Sequence, residues 1–400
     1  MASKNTIEIV KSTAPVLQQY GEAITKQFYK QLFEKHPELK NIFNMTHQAK
    51  GDQPRVLASA IFQYATYIDQ LDMLKGAVSA ITQKHSSLSI TPEMYPIVGE
   101  NLLEAIKVVL GDAATPEIID AWAEAYGDLA SLFIKEEEKL YSERENMTGG
   151  YRGKKKFKVV KRVAESSVIT SFYLAPADGS ALPPFQPGQY IAVSVEIPGE
   201  SHLHTRNYSL SDFGNQETIR ISVKKEEGNP NGTVSNFLHA SVNVGDQVEI
   251  GIPAGDFKLE ESTKPVVLIA GGVGITPLIS MYKALAKTDR KVTFIQCALN
   301  SETHAFRNEI AEHLNENSKS VVIYNESLEH DEPDYKGLLT ADILKAVMPE
   351  GSPAFYFCGP KPFMADVMEI LQRLSVEEED IHFEFFGPMD ELKKSECPVG

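Results

Sequence analysis

The chain has 400 residues, 42% hydrophobic and 24% charged, a balance typical of soluble globular proteins that excludes collagen-like, mucin-like and disordered readings. At ~100–200 residues per domain this length predicts two to four compact units. The 39 Lys and Arg face 55 Asp and Glu, a net charge of -16 that repels phosphate backbones and anionic lipid, so neither nucleic acid nor a membrane is expected as a partner. Aliphatic runs such as 266–270 fall far short of the ~20 residues a membrane-spanning helix needs, and the polar N-terminus fits a cytoplasmic protein. The cysteines, Cys297, Cys358 and Cys397, are widely spaced and form no C-x-x-C pattern. A disulfide framework, a zinc knuckle, an iron–sulfur cluster and covalent c-type haem are thereby excluded.

From 5 to 145 the apolar residues recur at helical spacing. His36 precedes Pro37 at a helix end, and His47 lies in the polar run 44–53. His85 differs: Leu74, Val78, Ile81 and His85 are spaced four, three and four apart, which puts the imidazole on the apolar stripe of a helix. There it is either a hydrogen-bonded core residue or a metal ligand. The period changes near Tyr151, and Gly149-Gly150 mark the joint. The middle stretch is charge-balanced, while both flanks are acidic.

Strands are predicted at 156–163, 169–174, 190–195, 207–210, 218–223 and 247–252, separated by Pro-rich and Gly-rich turns, which suggests a small antiparallel barrel. Arg206-Asn207-Tyr208-Ser209 offers a cation, a flat ring and a hydroxyl on one strand, with Arg206 and Tyr208 on the same face. The pair suits a cofactor with a phosphate and an aromatic ring system, or is an ordinary strand with a surface Arg and a half-buried Tyr. From 266 onward strands (266–270, 292–298, 321–324, 354–358, 381–385) alternate with helices (from 277, 305–314, 341–347, 362–374), the pattern of a parallel sheet with helices on both faces. Ala270 leads into the turn Gly271-Gly272-Val273-Gly274-Ile275, with Thr276 and Pro277 expected as N-cap and first helical residue. Exposed backbone N–H groups and the helix dipole suit a pyrophosphate there; no Lys follows the glycines, so it is not a Walker A loop. A ligand-free turn is the alternative. Cys358-Gly359-Pro360 ends another strand, at the sheet edge where such ligands bind.

In order and spacing, Arg206 to Ser209, Gly232-Thr233-Val234-Ser235, Gly271 to Pro277 and Cys358-Gly359-Pro360 resemble the ferredoxin reductase-like flavoenzymes. The resemblance implies that the first motif holds FAD, that Gly232 and Ser235 support its pyrophosphate, and that the last two bind NAD(P)H. It also implies that Tyr190 lines the FAD site and that Phe386, within Phe385-Phe386-Gly387-Pro388, covers the isoalloxazine where nicotinamide enters. Ser209 lies across the strand from Tyr208, so its hydrogen bond to the flavin rests on the resemblance alone.

In the helical part, Tyr29 among Phe28, Leu32 and Phe33, Phe43 after the Pro37 turn, Gln53 with Leu57 one turn on, and Tyr95 after His85 resemble a globin, that of the bacterial flavohaemoglobins of Bacillus type. The resemblance covers the whole chain and implies an all-α globin domain at 1–147, an antiparallel β-barrel FAD domain at 151–262 and a doubly wound α/β NAD(P)H domain at 265–400. It implies that His85 ligates the iron of one haem b, with Phe43 and Leu57 in the haem pocket and Tyr95 and Glu137 supporting the imidazole. Register with Phe133 and Tyr141 selects Glu137 from the run Glu136-Glu137-Glu138. Tyr29 would donate a hydrogen bond to bound dioxygen with Gln53 as second donor, although Gln53 precedes Pro54 and so begins its helix, where it could swing away. Lys84 and Glu384 match positions that tune communication between haem and flavin.

The implied activity is nitric oxide dioxygenase: electrons pass from NAD(P)H through FAD to haem b, and NO and O2 become nitrate. Hydride carries two electrons, haem iron accepts one at a time, and a flavin does both, which explains three modules in one chain. A lipid hydroperoxide reductase, with lipid in an apolar pocket near Ile61, Val98 and Leu102, is an alternative, as is an oxygen-binding sensor, against which the FAD and NAD(P)H motifs count. Cys297-Ala298-Leu299-Asn300 shows no basic clamp, which favours NADH over NADPH, although Arg307 is near. The protein is expected to be a cytoplasmic monomer.

Overall fold

The structure, a computed structural model, describes residues 2–45, 48, 51–215, 217–228 and 231–387; His47, Pro388 and Cys397 lie outside the described residues. The chain divides into two compact units: one takes 1–147, 151–154 and 194–206, the other 148–150, 155–193 and the chain from 207 on.

The helical unit contains α1 (Lys4–Ser12), α2 (Ala14–Lys35), α3 (Asp52–Tyr67), α4 (Lys75–Leu88), α5 (Met94–Leu110) and α6 (Pro116–Glu145). Local chemistry sets their ends. The Ser3 hydroxyl caps α1 by accepting from Thr6 N at 3.1 Å, and Thr115 caps α6 just before Pro116, where a missing N–H costs nothing. Pro37 follows His36 and disfavours helical backbone there, so His36 caps α2 in a non-helical conformation. Ile24, Phe28 and Leu32, at four-residue spacing on α2, meet Ala105 and Ile106 of α5 and Trp122 and Ala125 of α6 in a core where each is nearly or fully buried.

After the helical unit, β1 (Lys154–Ala164), β2 (Ile169–Pro176), β3 (Tyr190–Val195), β4 (His204–Ser209), β5 (Ile219–Lys224) and β6 (Gln247–Gly251) form one sheet in the order β4-β3-β6-β1-β2-β5. A bridge between Leu210 and Ile221 joins the end of β4 to β5 and closes the barrel. The fourth strand starts three residues earlier than predicted and so includes Arg206. A helix that the sequence reading did not predict, α7 (Thr233–Ser241), stands between β5 and β6.

The second sheet runs β10-β9-β8-β7-β11-β12, with β7 (Val266–Gly271), β8 (Val292–Ala298), β9 (Ser318–Tyr324), β10 (Tyr335–Lys336), β11 (Ala354–Cys358) and β12 (Ile381–Glu384) all parallel. Side-chain alternation explains its two covered faces. Val266, Leu268 and Ala270 pack under α8 (Ile275–Leu285) and α9 (Arg307–Glu312), while Val267 and Ile269 pack under α10 (Ala341–Val347) and α11 (Lys361–Arg373). The first of these helices starts at Ile275, so Thr276 is not its N-cap: the Thr276 hydroxyl donates back to Val273 O at 3.0 Å, and Pro277 falls within the first turn, where N–H groups have no intrahelical partner. No helix among the described residues is long and apolar enough to cross a membrane.

Candidate functional site

On α4, Val78, Ile81 and His85 share one stripe, which packs beside Tyr95, Ala130 and Phe133. His85 Nδ1 lies 2.7 Å from Glu137 Oε1, and the Tyr95 hydroxyl donates to the same oxygen at 2.5 Å. The carboxylate can only accept, so Nδ1 carries the proton and Nε2 is the nitrogen left to ligate. The His85 side chain is 30% exposed, and the ring is therefore not sealed into the core as a purely structural imidazole would be, whereas Glu137 is 3% exposed. Helical register accounts for the choice of carboxylate. Phe133, Glu137 and Tyr141, four apart on α6, face this cluster, while Glu138 is exposed and takes Arg152 Nη1 and Nη2 at 2.8 and 2.7 Å. Further along the same face, the Tyr141 hydroxyl donates to Ile90 O at 2.8 Å, and Arg144 donates to Ser86 Oγ at 2.6 Å and to Gln83 Oε1, so the backbone and side chains on either side of His85 are held by α6. Burial first, and the bond to Glu137 second, raise the Tyr95 pKa and keep its hydroxyl a donor.

Tyr29 is buried on α2 within an aromatic cluster, its ring centroid 5.9 Å from Phe33 and 5.7 Å from Phe43, and burial likewise keeps its hydroxyl protonated. Leu57, Ile61 and Val98 pack against the same core. The glutamine beside the Tyr29 hydroxyl is Gln48, which sequence reasoning passed over; Gln53 sits in the first turn of α3, as Pro54 requires. Gln48 Nε2 and Gln53 Oε1 are both buried without a hydrogen-bond partner. Buried polar atoms are ordinarily paired, so each of these two atoms is open to a further polar partner. Lys84 is exposed on α4. At the end of β12, Glu384 is pushed up to about 8 by burial, and its Oε2 has no partner.

Along β4, Arg206 and Tyr208 are half-buried on one face, Asn207 is exposed, and Ser209 is buried on the other face with its Oγ unpartnered. Tyr190 opens β3, and its ring lies where a Cβ on Gly255 would come within 2.9 Å. No side chain caps α7 at Gly232, which leaves its first N–H groups for an anion, and a Cβ on Gly232 would meet Ser235 Oγ at 2.3 Å.

In the nucleotide turn the glycines serve two different needs. A Cβ on Gly274 would strike Cys358 O at 2.1 Å, and one on Gly271 or Gly359 would strike the Phe363 ring, so the turn and the end of β11 can touch only as glycines. Gly272 instead has φ +52 and open space around it, so this position uses the conformational freedom of glycine rather than its small size. Burial raises the Cys358 thiol well above its ordinary range, so it is inert packing, and Pro360 caps α11. Phe386 is 46% exposed, and Gly387 lies against the Phe385 ring.

Sequence reasoning also missed a buried ion network. Arg220 of β5, 2% exposed, gives Nη1 to Glu309 Oε2 at 2.7 Å; Lys283 of α8 reaches Glu309 Oε1 at 3.0 Å and also pairs with Asp212. It ties the barrel to the nucleotide-binding sheet, and its only sequence signal is an Arg at an inward strand position.

The globin family matches residues 26–132, the oxidoreductase FAD-binding domain residues 156–259 and the oxidoreductase NAD-binding domain residues 268–369. A flavohemoprotein of Halalkalibacterium halodurans is 47% identical, with 98% of each chain covered, and one of Bacillus cereus is 48% identical over 98% of this chain and 100% of its own. Among solved structures, a flavohemoglobin of Malassezia yamatoensis with bound FAD and heme matches 96% of this chain and 99% of its own, with a TM-score of 0.85 at 29% identity. The FAD/NAD-binding domain of a Vibrio cholerae nitric oxide dioxygenase, 38% identical, matches 58% of this chain and 99% of its own with a TM-score of 0.55. The chain belongs to the flavohemoproteins, NAD(P)H-dependent oxidoreductases that join a globin to FAD-binding and NAD-binding modules.

Proposed function

We propose that the protein is a nitric oxide dioxygenase that removes NO in the cytoplasm, with a globin domain at 1–147, an FAD domain at 151–262 and an NAD(P)H domain at 265–400. The observation that carries this reading is the Glu137 carboxylate buried against His85 Nδ1, since such a partner raises imidazole basicity and favours dioxygen activation over storage. Haem b and FAD, when bound, supply the one-electron iron chemistry and the division of a hydride pair into single electrons. His85 Nε2 holds the iron, Glu137 keeps the Nδ1 proton in place, and Tyr95 fixes Glu137 from the other side. Tyr29, kept protonated, offers its O–H to substrate in a pocket that Phe43 and Leu57 keep apolar, with Gln48 and Gln53 as further polar groups.

In the reductase, Arg206 takes a flavin phosphate, the N-terminus of α7 takes the pyrophosphate, and Tyr190, Tyr208 and Ser209 hold the ring system. The turn 271–276 and residues 358–360 bind NAD(P)H beside Phe385, Phe386 and Gly387. NADH is the preferred donor because 297–300 carries no basic residue to meet a ribose phosphate. Lys84 and Glu384 are the ionisable side chains that would tune the haem and the flavin when these are bound. Electron balance requires two nitrates per NADH, each from one NO and one O2. Purified holoprotein given NADH, NO and O2 tests this: nitrate at that ratio supports the reading, and NADH oxidation without nitrate rejects it.

A further inference from the structure

The loop between β3 and β4 carries Glu200 and His202, and His204 opens β4; none of the three is used by the cofactor sites. One ligand atom from each lies within 4.8 Å of the other two. Glu200 Oε2 is 3.6 Å from His204 Nε2, and the two imidazole centroids are 4.4 Å apart. Ligands of a tetrahedral zinc ion, bound at roughly 2.0–2.2 Å, stand about 3.4 Å from one another, so the trio is close to coordinating geometry before any metal draws it together. His204 is 8% exposed, and its Nε2 is buried without a hydrogen-bond partner; His202 Nε2 is likewise buried and unpartnered, with Ser201 Oγ 3.5 Å from its Nδ1. Two imidazole nitrogens converging beside a carboxylate, with no hydrogen-bond partner among the described residues, form a donor set suited to a further ligand.

We propose that Glu200, His202 and His204 form a site for one divalent transition-metal ion, with Zn2+ as the fitting occupant and water in the fourth position. Two imidazoles with one carboxylate suit zinc, whereas Mg2+ and Ca2+ require all-oxygen shells. The backbone gives the site a role. Leu203 N donates to Asn41 Oδ1 at 2.7 Å and Thr205 Oγ1 to Asn41 O at 3.3 Å, so residues alternating with the histidines anchor the loop to the 3-10 turn Pro37–Asn41, two residues before Phe43. Glu200, His202 and His204 cross-link the segment from the other side. A bound ion therefore fixes the loop that leads into Arg206 while Asn41 holds it against the helical unit.

The test uses the full-length holoprotein, haem- and FAD-loaded and stripped with a chelator, titrated with ZnCl2 by calorimetry against the Glu200→Gln/His202→Ala variant. Both replaced residues lie outside the core, and unchanged haem and flavin spectra verify folding. One equivalent of zinc should bind the wild type, the variant should lose that equivalent, and melting temperature should rise with zinc in the wild type alone. A zinc K-edge absorption spectrum of the loaded protein should show two imidazole ligands. Equal stoichiometry and affinity in both proteins, no zinc bound by either, or an all-oxygen shell would overturn the proposal.

Discussion

Glu137→Gln isolates the carboxylate's charge while keeping its size. In the wild type His85 Nδ1 and the Tyr95 hydroxyl both donate to Glu137 Oε1, at 2.7 and 2.5 Å, in a position 3% exposed. A glutamine oxygen can still accept, so what is lost is the difference between a hydrogen bond to a charged group, about 1.5–3 kcal/mol, and a neutral one, about 0.5–1.5 kcal/mol. Each bond therefore weakens by roughly 1–1.5 kcal/mol, and the two together, sharing one acceptor, by no more than about 2–3 kcal/mol. At about 1.4 kcal/mol per factor of ten, turnover should fall roughly 10- to 100-fold, the range seen when partners of metal-ligating histidines are replaced. The assay is NO-dependent NADH oxidation by haem-replete protein, with the iron–imidazole stretching frequency of the reduced state as a direct probe of imidazole basicity. Glu138→Gln is the control, because Glu138 is exposed and bonded to Arg152. Wild-type turnover and an unshifted frequency in the Glu137 variant, or equal losses in both variants, would refute the reasoning.

Tyr29→Phe removes one donor and should lower NO-dependent turnover by about tenfold, one hydrogen bond of ~1–1.5 kcal/mol, while NADH-driven reduction of a soluble one-electron acceptor stays unchanged; a loss in both assays would point to misfolding instead. Gly274→Ala drives a methyl into Cys358 O and should lower the melting temperature and raise KM for NADH, with haem and FAD content retained. Gly272→Ala meets no atom within 4 Å and carries only left-handed strain of roughly 1–2 kcal/mol, so it should be the more stable of the two; the reverse order of melting temperatures would contradict the packing argument. Glu384 titrates at about 8 in the fold against 4.5 unfolded, so the native state holds the proton more tightly. Its contribution to stability is complete below pH 4.5 and is lost as pH rises toward 8. Glu384→Gln should flatten that slope in melting temperature, and parallel curves for variant and wild type would show that burial of this group does not set it.

Wherever one physical signal dominated, element positions were legible in the sequence. The strands at 190–195, 292–298 and 354–358 and the helix at 341–347 have their predicted bounds, because β-branched or apolar runs end abruptly at turn residues. Register alone separated Glu137 from its acidic neighbours, since only that residue falls in line with Phe133 and Tyr141. The helix at 233–241 went unread because Thr233, Val234 and Ser235 are weak helix formers, and tertiary packing of Val234 and Leu238 overrides their propensity. Thr276 looked like an N-cap, but the 3-10 turn Gly272–Gly274 starts the helix earlier. Gln48 and the network of Arg220, Glu309, Lys283 and Asp212 depend on contacts between segments far apart in the chain, which no local pattern encodes.

His85→Ala tests the central assignment most directly, by absorption spectrum and nitrate production of the purified variant. The account predicts loss of the Soret band and of nitrate formation, with the flavin spectrum and NADH-driven reduction of a soluble acceptor preserved. A variant that keeps its Soret band and still forms nitrate at the wild-type rate would contradict it.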